Sequence, residues 1–386
     1  MNKQQTVLAV FALGLAVLVA FFTIPPLEGE QDRLSDCYVG VSFCGNTAQE
    51  ARLLIDRIKT YSNLLIIQSG PVSWNETATN EVCEYAIAAG LKIVVYFGDL
   101  DWRFLTNQTI WRLNWANSAK ARFGDSLLGI YYYEEPGGMW IDTNWNATKW
   151  HSLQNSTYAA AAANFVNGLK RDQGMVLLKN NSIPVFVSDY ASHWFDYEAG
   201  YDVVLAQVGW NNSLSQDIAL VRGAARMHNK DWGVMITWKY NGTPYLDAGE
   251  VIFEQMVASY EAGAKYIVIF NYPQLEVNSY GVMQDEHFSA LERLWNEAVS
   301  QKIKLGVTKA KAAMVMPSNY GWGMRNPQDI IWGYWGPDEK SPQIWMLSRT
   351  LLAEYGTALD IVFDDARFPV SGIYSQVYLW NSNIPT

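Results

Sequence analysis

Cysteine is nearly absent from this chain, with three in 386 residues. Cys37 and Cys44 stand seven steps apart in one apolar run, and a strand rising about 3.3 Å per residue holds them too far apart to bridge. Cysteine chemistry is therefore not expected, and no ligand spacing of a metal site occurs. Charge is also scarce, at 17% of residues against the usual quarter. Basic residues are the scarcer sign: 28 Lys and Arg stand against 38 Asp and Glu, for a net charge of −10. That balance argues against a nucleic-acid partner, which needs a basic footprint. The first strand candidate runs into "GVSFCGN", which lacks the G-x-G-x-x-G spacing that cradles a dinucleotide phosphate. Neither a metal nor an organic cofactor is expected.

Aromatic residues are abundant instead, with 17 Trp and 22 Tyr in a chain that is 49% hydrophobic. They serve either a large packed core or a set of flat faces that stack on a ligand such as a sugar ring. Residues 7–24 form an uncharged run whose single polar residue is Thr23. A run of that length spans a bilayer and exceeds the apolar core of a cleaved signal. Lys3 precedes it and Glu28, Glu30 and Asp32 follow it, which places the body outside the cell. Residues 1–30 are thus expected to be a transmembrane anchor, with a cleaved signal peptide and a secreted body as the alternative. Asn-x-Ser/Thr triplets at Asn75, Asn107, Asn146, Asn155, Asn180, Asn211 and Asn241 point the same way, since chance supplies about three.

After this segment, apolar β-rich runs alternate with amphipathic helical patterns. The runs are "CYVGVSFCG", "NLLIIQSG", "LKIVVYFGD", "LLGIYYYEE", "IPVFVSDYA", "YDVVLAQVGW", "GVMITWKY" and "KYIVIFNYP". Near-continuous apolar strands between helices indicate a parallel sheet buried on both faces. Eight such units over about 260 residues predict an α/β fold, a (β/α)8 TIM barrel over residues 37–301. An open doubly wound sheet is the runner-up. Residues 310–386 carry fewer elements and read as a small C-terminal α/β module docked on the barrel. Its Trp/Gly-rich stretch "GWGMRNPQDIIWGYW" reads first as an aromatic seam between the two parts.

Barrel sites lie at the carboxyl ends of the strands. Those positions hold Asp99, Asp101 and Trp102 after the third run, and Tyr133, Glu134 and Glu135 after the fourth. Asp189 and His193 follow the fifth, Gln207 and Trp210 the sixth, Trp238 the seventh, and Asn271 and Tyr272 the eighth. Aromatic rings beside Asp, Asn and Gln suit a pyranose. Cleavage of a glycosidic bond needs one protonated and one ionised carboxyl. "YYYEEPGG" at 131–138 supplies two adjacent acids behind apolar tyrosines, where burial and mutual repulsion hold one of them protonated. Neighbours on a strand point to opposite faces, so both acids share a cleft only if the Pro-Gly-Gly break bends the chain.

The "EEP" at 134–136 resembles the Asn-Glu-Pro that ends the fourth strand in the large clan of TIM-barrel glycosidases, and the C-terminal stretch is similar to the amidotransferase-like domain that follows the barrel in some β-galactosidases. The resemblance implies Glu135 as acid/base, with Glu134 in place of the clan's Asn. The clan's nucleophile is a Glu ending the seventh strand. Here "MITWKYNGTPY" has no acid before Asp247, so the partner falls to Glu134 or Asp189, with Asp99 and Asp101 as further candidates. Two readings stand. One is a membrane-anchored glycoside hydrolase acting on an oligo- or polysaccharide. The other is a non-catalytic carbohydrate-binding or structural cell-surface protein, favoured by the missing acid and by triplets crowding the site face. Asp99, Asp101, Trp102, Tyr133, Gln207, Trp210, Trp238, Asn271 and Tyr272 are the expected substrate contacts.

Overall fold

The computed structural model describes residues 37–98, 107–143, 156–210, 212–273, 279–301, 303 and 306–382. The apolar run 7–24 lies outside them, as do Asp99, Asp101 and Trp102 and the triplet residues Asn146, Asn155 and Asn211. Among the described residues no helix is long and apolar enough to cross a membrane.

Eight strands form the centre: β1 (Tyr38–Phe43), β2 (Leu64–Ile67), β3 (Lys92–Gly98), β4 (Leu127–Tyr132), β5 (Val185–Asp189), β6 (Val203–Val208), β7 (Asp231–Ile236) and β8 (Tyr266–Ile269). Each pairs in parallel with the next, and β8 returns to β1 through Tyr38↔Tyr266 to Val41↔Ile269. This closed ring is the (β/α)8 TIM barrel that the alternation predicts. The helices carry their own start signals. Thr47 caps the helix Ala48–Ile58 in a reciprocal box with Glu50, and the stripe Ala51, Leu54, Ile55 and Ile58 turns inward.

Alternate residues of the strands fill the barrel. Leu64 and Ile66, Val203 and Leu205, and Tyr266 and Val268 point inward with Val94, Tyr131, Phe186 and Met235. The wide side chains stack, Tyr38 on Tyr266 at 5.3 Å and Tyr96 on Tyr131 at 5.2 Å between ring centres. The observed strands stop short of several apolar runs in the sequence. β4 ends at Tyr132 and β6 at Val208, and the residues left over form the rim.

A second, three-stranded sheet has the order β10 (Leu359–Phe363), β9 (Ala312–Met316), β11 (Gln376–Leu379). It lies on the helix Leu214–His228, and residues from Cys37 onward form a single compact unit. Gly223 makes the close approach possible: a Cβ there would stand 2.5 Å from the Ile361 carbonyl oxygen. Next to it Arg222, 4% exposed, meets the fully buried Asp360 at 2.7 Å and donates to the Thr357 and Leu359 carbonyls. A buried pair of this kind must stay complete, because removing one partner strands the other charge. The Trp/Gly-rich stretch packs along the barrel, with Trp332 fully buried against Phe165 and Phe195. Arg325 from the same stretch reaches Asp142, in the helix Pro136–Thr143 after β4, at 2.8 Å.

Candidate active site at the carboxyl ends of the strands

The three tyrosines and two acids that end β4 separate by direction. Tyr131 points into the barrel. Tyr132 points outward, its hydroxyl donating to Asp172. Past the strand, Tyr133 and Glu135 take φ values of +67° and +48°, a conformation that non-glycine residues adopt only where their surroundings impose it. The two reversals break the strand alternation, and the carboxyls of Glu134 and Glu135 both line one cleft. The Tyr133 side chain is carried off it, its hydroxyl donating to Asp172 at 3.2 Å.

Asp189 holds this bend. Its carboxylate accepts from the backbone N–H of Gly137 at 2.5 Å and Gly138 at 2.8 Å, and from Tyr190 and Ala191 at 2.8 and 3.1 Å. The glycines are required by space. A Cβ on Gly138 would stand 2.2 Å from the Tyr190 ring, and one on Gly137 would stand 2.6 Å from Ser192 Cβ. Asp189 is fully buried and is not among the residues lining the cleft. Burial pushes its carboxyl up, opposed by the glycine and Ala191 amides.

A hydrogen-bonded chain joins the two glutamates. Glu134 accepts from Tyr131 Oη at 2.8 Å, from Gln68 Nε2 at 3.0 Å and from Ser188 Oγ at 3.4 Å. Gln207 Nε2 donates to Glu135 at 2.7 Å and to Ser188 Oγ at 3.0 Å. Burial dominates the electrostatics of Glu134 and pushes it up to about 8. The Tyr131 donor opposes the rise and the charge of Glu135 adds to it. Glu135 is also raised by burial, opposed by Gln207 and reinforced by Asp142. A carboxyl raised to about 8 keeps its proton at neutral pH, which makes Glu134 a proton donor at that pH.

The cleft measures about 470 Å³, and among the described residues no Lys, Arg or His lines it. Gln68 and Tyr96 come from the ends of β2 and β3, Gln207 and Trp210 from β6, Thr237 and Trp238 from β7, and Phe270 and Tyr272 from β8. Trp238 stands edge-on to Tyr272 at 5.1 Å, and the Trp210 N–H donates to the Trp238 carbonyl at 2.8 Å, which ties the rim together. Trp210 and Tyr272 are exposed. Asn271 lies outside the lining: its amide donates to the Tyr280 carbonyl and its Oδ1 accepts from Met283 N–H, so it ties these two residues to the end of β8. His193 is buried and its Nε2 meets the Asp189 carbonyl at 3.1 Å. All three cysteines are free and buried, and Cys44, which also lines the cleft, is pushed up to about 12 by burial. Among the described residues no group of His, Cys, Asp and Glu is placed to hold a metal ion.

Of the expected contacts, the structure brings Glu134, Glu135, Gln207, Trp210, Trp238 and Tyr272 together. It sets Asp189, Tyr133 and Asn271 behind them as supports. Gln68, just after β2, and Tyr131 and Ser188, inside β4 and β5, are neighbours of the pair that reading only the residues at the carboxyl ends of strands 3 to 8 passes over. The signal for Gln68 was present: a single polar residue closes the apolar run "NLLIIQ" at the carboxyl end of its strand.

No family model matches the chain, and no curated protein matches it. Solved structures do. GH5_18 from Streptomyces cattleya in complex with GlcNAc superposes with a TM-score of 0.56 at 11% identity, covering 90% of this chain and 99% of that one. Alpha-L-fucosidase isoenzyme 2 from Paenibacillus thiaminolyticus does so with a TM-score of 0.52 at 13% identity, covering 88% of this chain and 59% of that one. The chain thus spans about three fifths of the fucosidase structure. At such identities the likeness is one of fold: the chain is built on a glycoside-hydrolase-like (β/α)8 barrel.

Proposed function

We propose that the protein is a glycoside hydrolase acting on an oligo- or polysaccharide, with Glu134 and Glu135 as its acid–base pair. The observation that carries this reading is that both carboxyls face one cleft whose rim is aromatic. Rings such as Trp210, Trp238 and Tyr272 offer faces to a pyranose, and one protonated and one ionised carboxyl are what glycosidic cleavage needs. The clan resemblance implies Glu135 as the donor. The deeper burial of Glu134 favours the reverse division of labour, in which Glu134 protonates the leaving oxygen while Glu135, oriented by Gln207, acts as the carboxylate. Asp189 positions the pair through the glycine amides and takes no proton from substrate.

The test is release of reducing ends from a panel of soluble polysaccharides. Wild-type protein is expected to cleave at least one of them, and Glu134→Gln and Glu135→Gln to lose about 10²–10⁴-fold in rate. Wild-type-like turnover by either variant removes that residue from the mechanism. A second reading, a carbohydrate-binding surface protein without turnover, is favoured by one observation: β7 delivers Thr237 and Trp238 to the cleft and no carboxyl. Binding without cleavage across the panel would establish it. The run 7–24 supports anchoring in a membrane with the body outside, and Asn75, Asn180 and Asn241 are exposed where glycans would attach.

A further inference from the structure

The Trp/Gly-rich stretch of the second module meets the element that carries the acid pair. The helix Pro136–Thr143 begins at the residue after Glu135, and the Met139 N–H donates to the Glu135 carbonyl at 2.8 Å, so the helix and Glu135 move together. Asp142 stands in its last turn. Asp142 Oδ2 accepts from Tyr190 Oη at 2.6 Å and from Arg325 Nη1 at 2.8 Å. One donor is the residue after β5, and the other belongs to the second module.

Arg325 is itself held in place. Its Nε and Nη2 donate to the two oxygens of Asp329 at 2.9 and 2.7 Å, a paired fork that fixes the plane of the guanidinium. Asp329 is buried and also accepts the backbone N–H of Arg325 at 3.0 Å and of Ile330 at 2.8 Å. The guanidinium lies 5.8 Å from the centre of the Tyr190 ring, the ring against which Gly138 packs. One arginine thus reaches both ends of the helix, Asp142 directly and Gly138 through Tyr190.

Charge follows the same path. Among the described residues, the titratable groups facing Glu135 are Glu134 beside it, Asp142 on the helix, and Asp189 and Tyr190 at the end of β5. All four are acids, and the charge of Asp142 adds to the rise that burial imposes on Glu135. Arg325 brings the opposite charge to Asp142.

We propose that Arg325 is a positioning residue for Glu135: the second module lends it to the barrel, where it fixes the helix that starts behind Glu135 and balances the charge of Asp142. The module is then a working part of the site. This deepens the hydrolase reading above and rests on it.

The experiment uses the full-length chain labelled with carbon-13 at the glutamate carboxyls. The titration of Glu135 is followed by NMR, its signal assigned by its loss in Glu135→Gln, and a pH–rate profile is taken on a polysaccharide that wild type cleaves. Arg325→Met removes the balancing charge. Glu135 is expected to titrate about half a unit higher, the size of one charge interaction across a partly solvated gap, and the acid limb of the rate to move up with it. Asp142→Asn keeps an acceptor for Arg325 and Tyr190 but removes the negative charge, so both are expected to move down. Arg325→Lys, which keeps the positive charge, is expected to restore most of the wild-type titration. Opposite shifts from the two partners of one ion pair are a pattern that lost packing does not produce. Shifts of the same sign, or none in either variant, overturn the role of Arg325 and leave the hydrolase reading standing. The expected shifts in a protein that cleaves no polysaccharide leave Arg325 acting on Glu135 and overturn the hydrolase reading.

Discussion

Replacing Glu134 by Gln tests the electrostatics of the site without requiring any activity. Burial raises the Glu134 carboxyl from the ordinary 4.5 to about 8, so the folded protein keeps a proton there that the unfolded chain releases near 4.5. The sign follows from linkage: between these values the native state binds more protons, so stability falls as pH rises, and the contribution is fully present only below the unfolded value. A rise from 4.5 to about 8 corresponds to about 5 kcal/mol lost across that interval. Glutamine has the same shape and no titration. Its oxygen accepts from Tyr131 as the carboxylate does, and its new N–H₂ meets the Gln68 amide, whose unpartnered Oε1 is available once that amide turns over. The assay is urea unfolding of both proteins at intervals from pH 5 to pH 9. Wild type is expected to lose several kcal/mol relative to Glu134→Gln, with the loss complete above pH 8. Parallel stability curves would refute the reasoning, because they would mean that Glu134 ionises in the folded state as easily as in water.

Other outcomes follow from the same contacts. Activity should fall as pH rises through about 8, where Glu134 loses its proton, and fall again in acid as Glu135 gains one. Gln207→Leu should move the acid limb to higher pH, since the Gln207 donor lowers Glu135, and a pH–rate profile of the variant checks it. Asp189→Asn replaces an acceptor of four amides by a group with one acceptor, so unfolding should show a loss of about 1–3 kcal/mol. Asp360→Ala strands the buried Arg222 guanidinium and should cost about 3–5 kcal/mol in the same measurement; an unchanged midpoint would show that the second sheet does not depend on this pair.

The barrel was legible because its strands are buried on both faces, and such strands write themselves as unbroken apolar runs between amphipathic helices. The position of the acid pair was legible for a related reason: "YYYEE" is a strand that ends in charge. The direction of its side chains was not. It depends on the left-handed backbone at Tyr133 and Glu135, and neither residue type announces that conformation as glycine does. Asp189 and Asn271 read as ligands because they are polar and end strands. Their neighbours' amides claim them instead, those of Gly137 and Met283 among them, and which amides come within reach depends on how the chain turns after β4 and β8. Gln68 and Ser188 passed unnoticed as uncharged polar residues where apolar runs end.

The roles of the two glutamates are tested most directly by kcat/KM on paired substrates of the same sugar. One has an unactivated sugar leaving group and the other an aryl leaving group acidic enough to depart without protonation. Glu134→Gln is predicted to lose activity on the first and to keep most of it on the second, because only the first requires a proton from Glu134. Glu135→Gln is predicted to lose both. The reverse pattern would return the donor role to Glu135, and wild-type-like rates from both variants on both substrates would contradict the account.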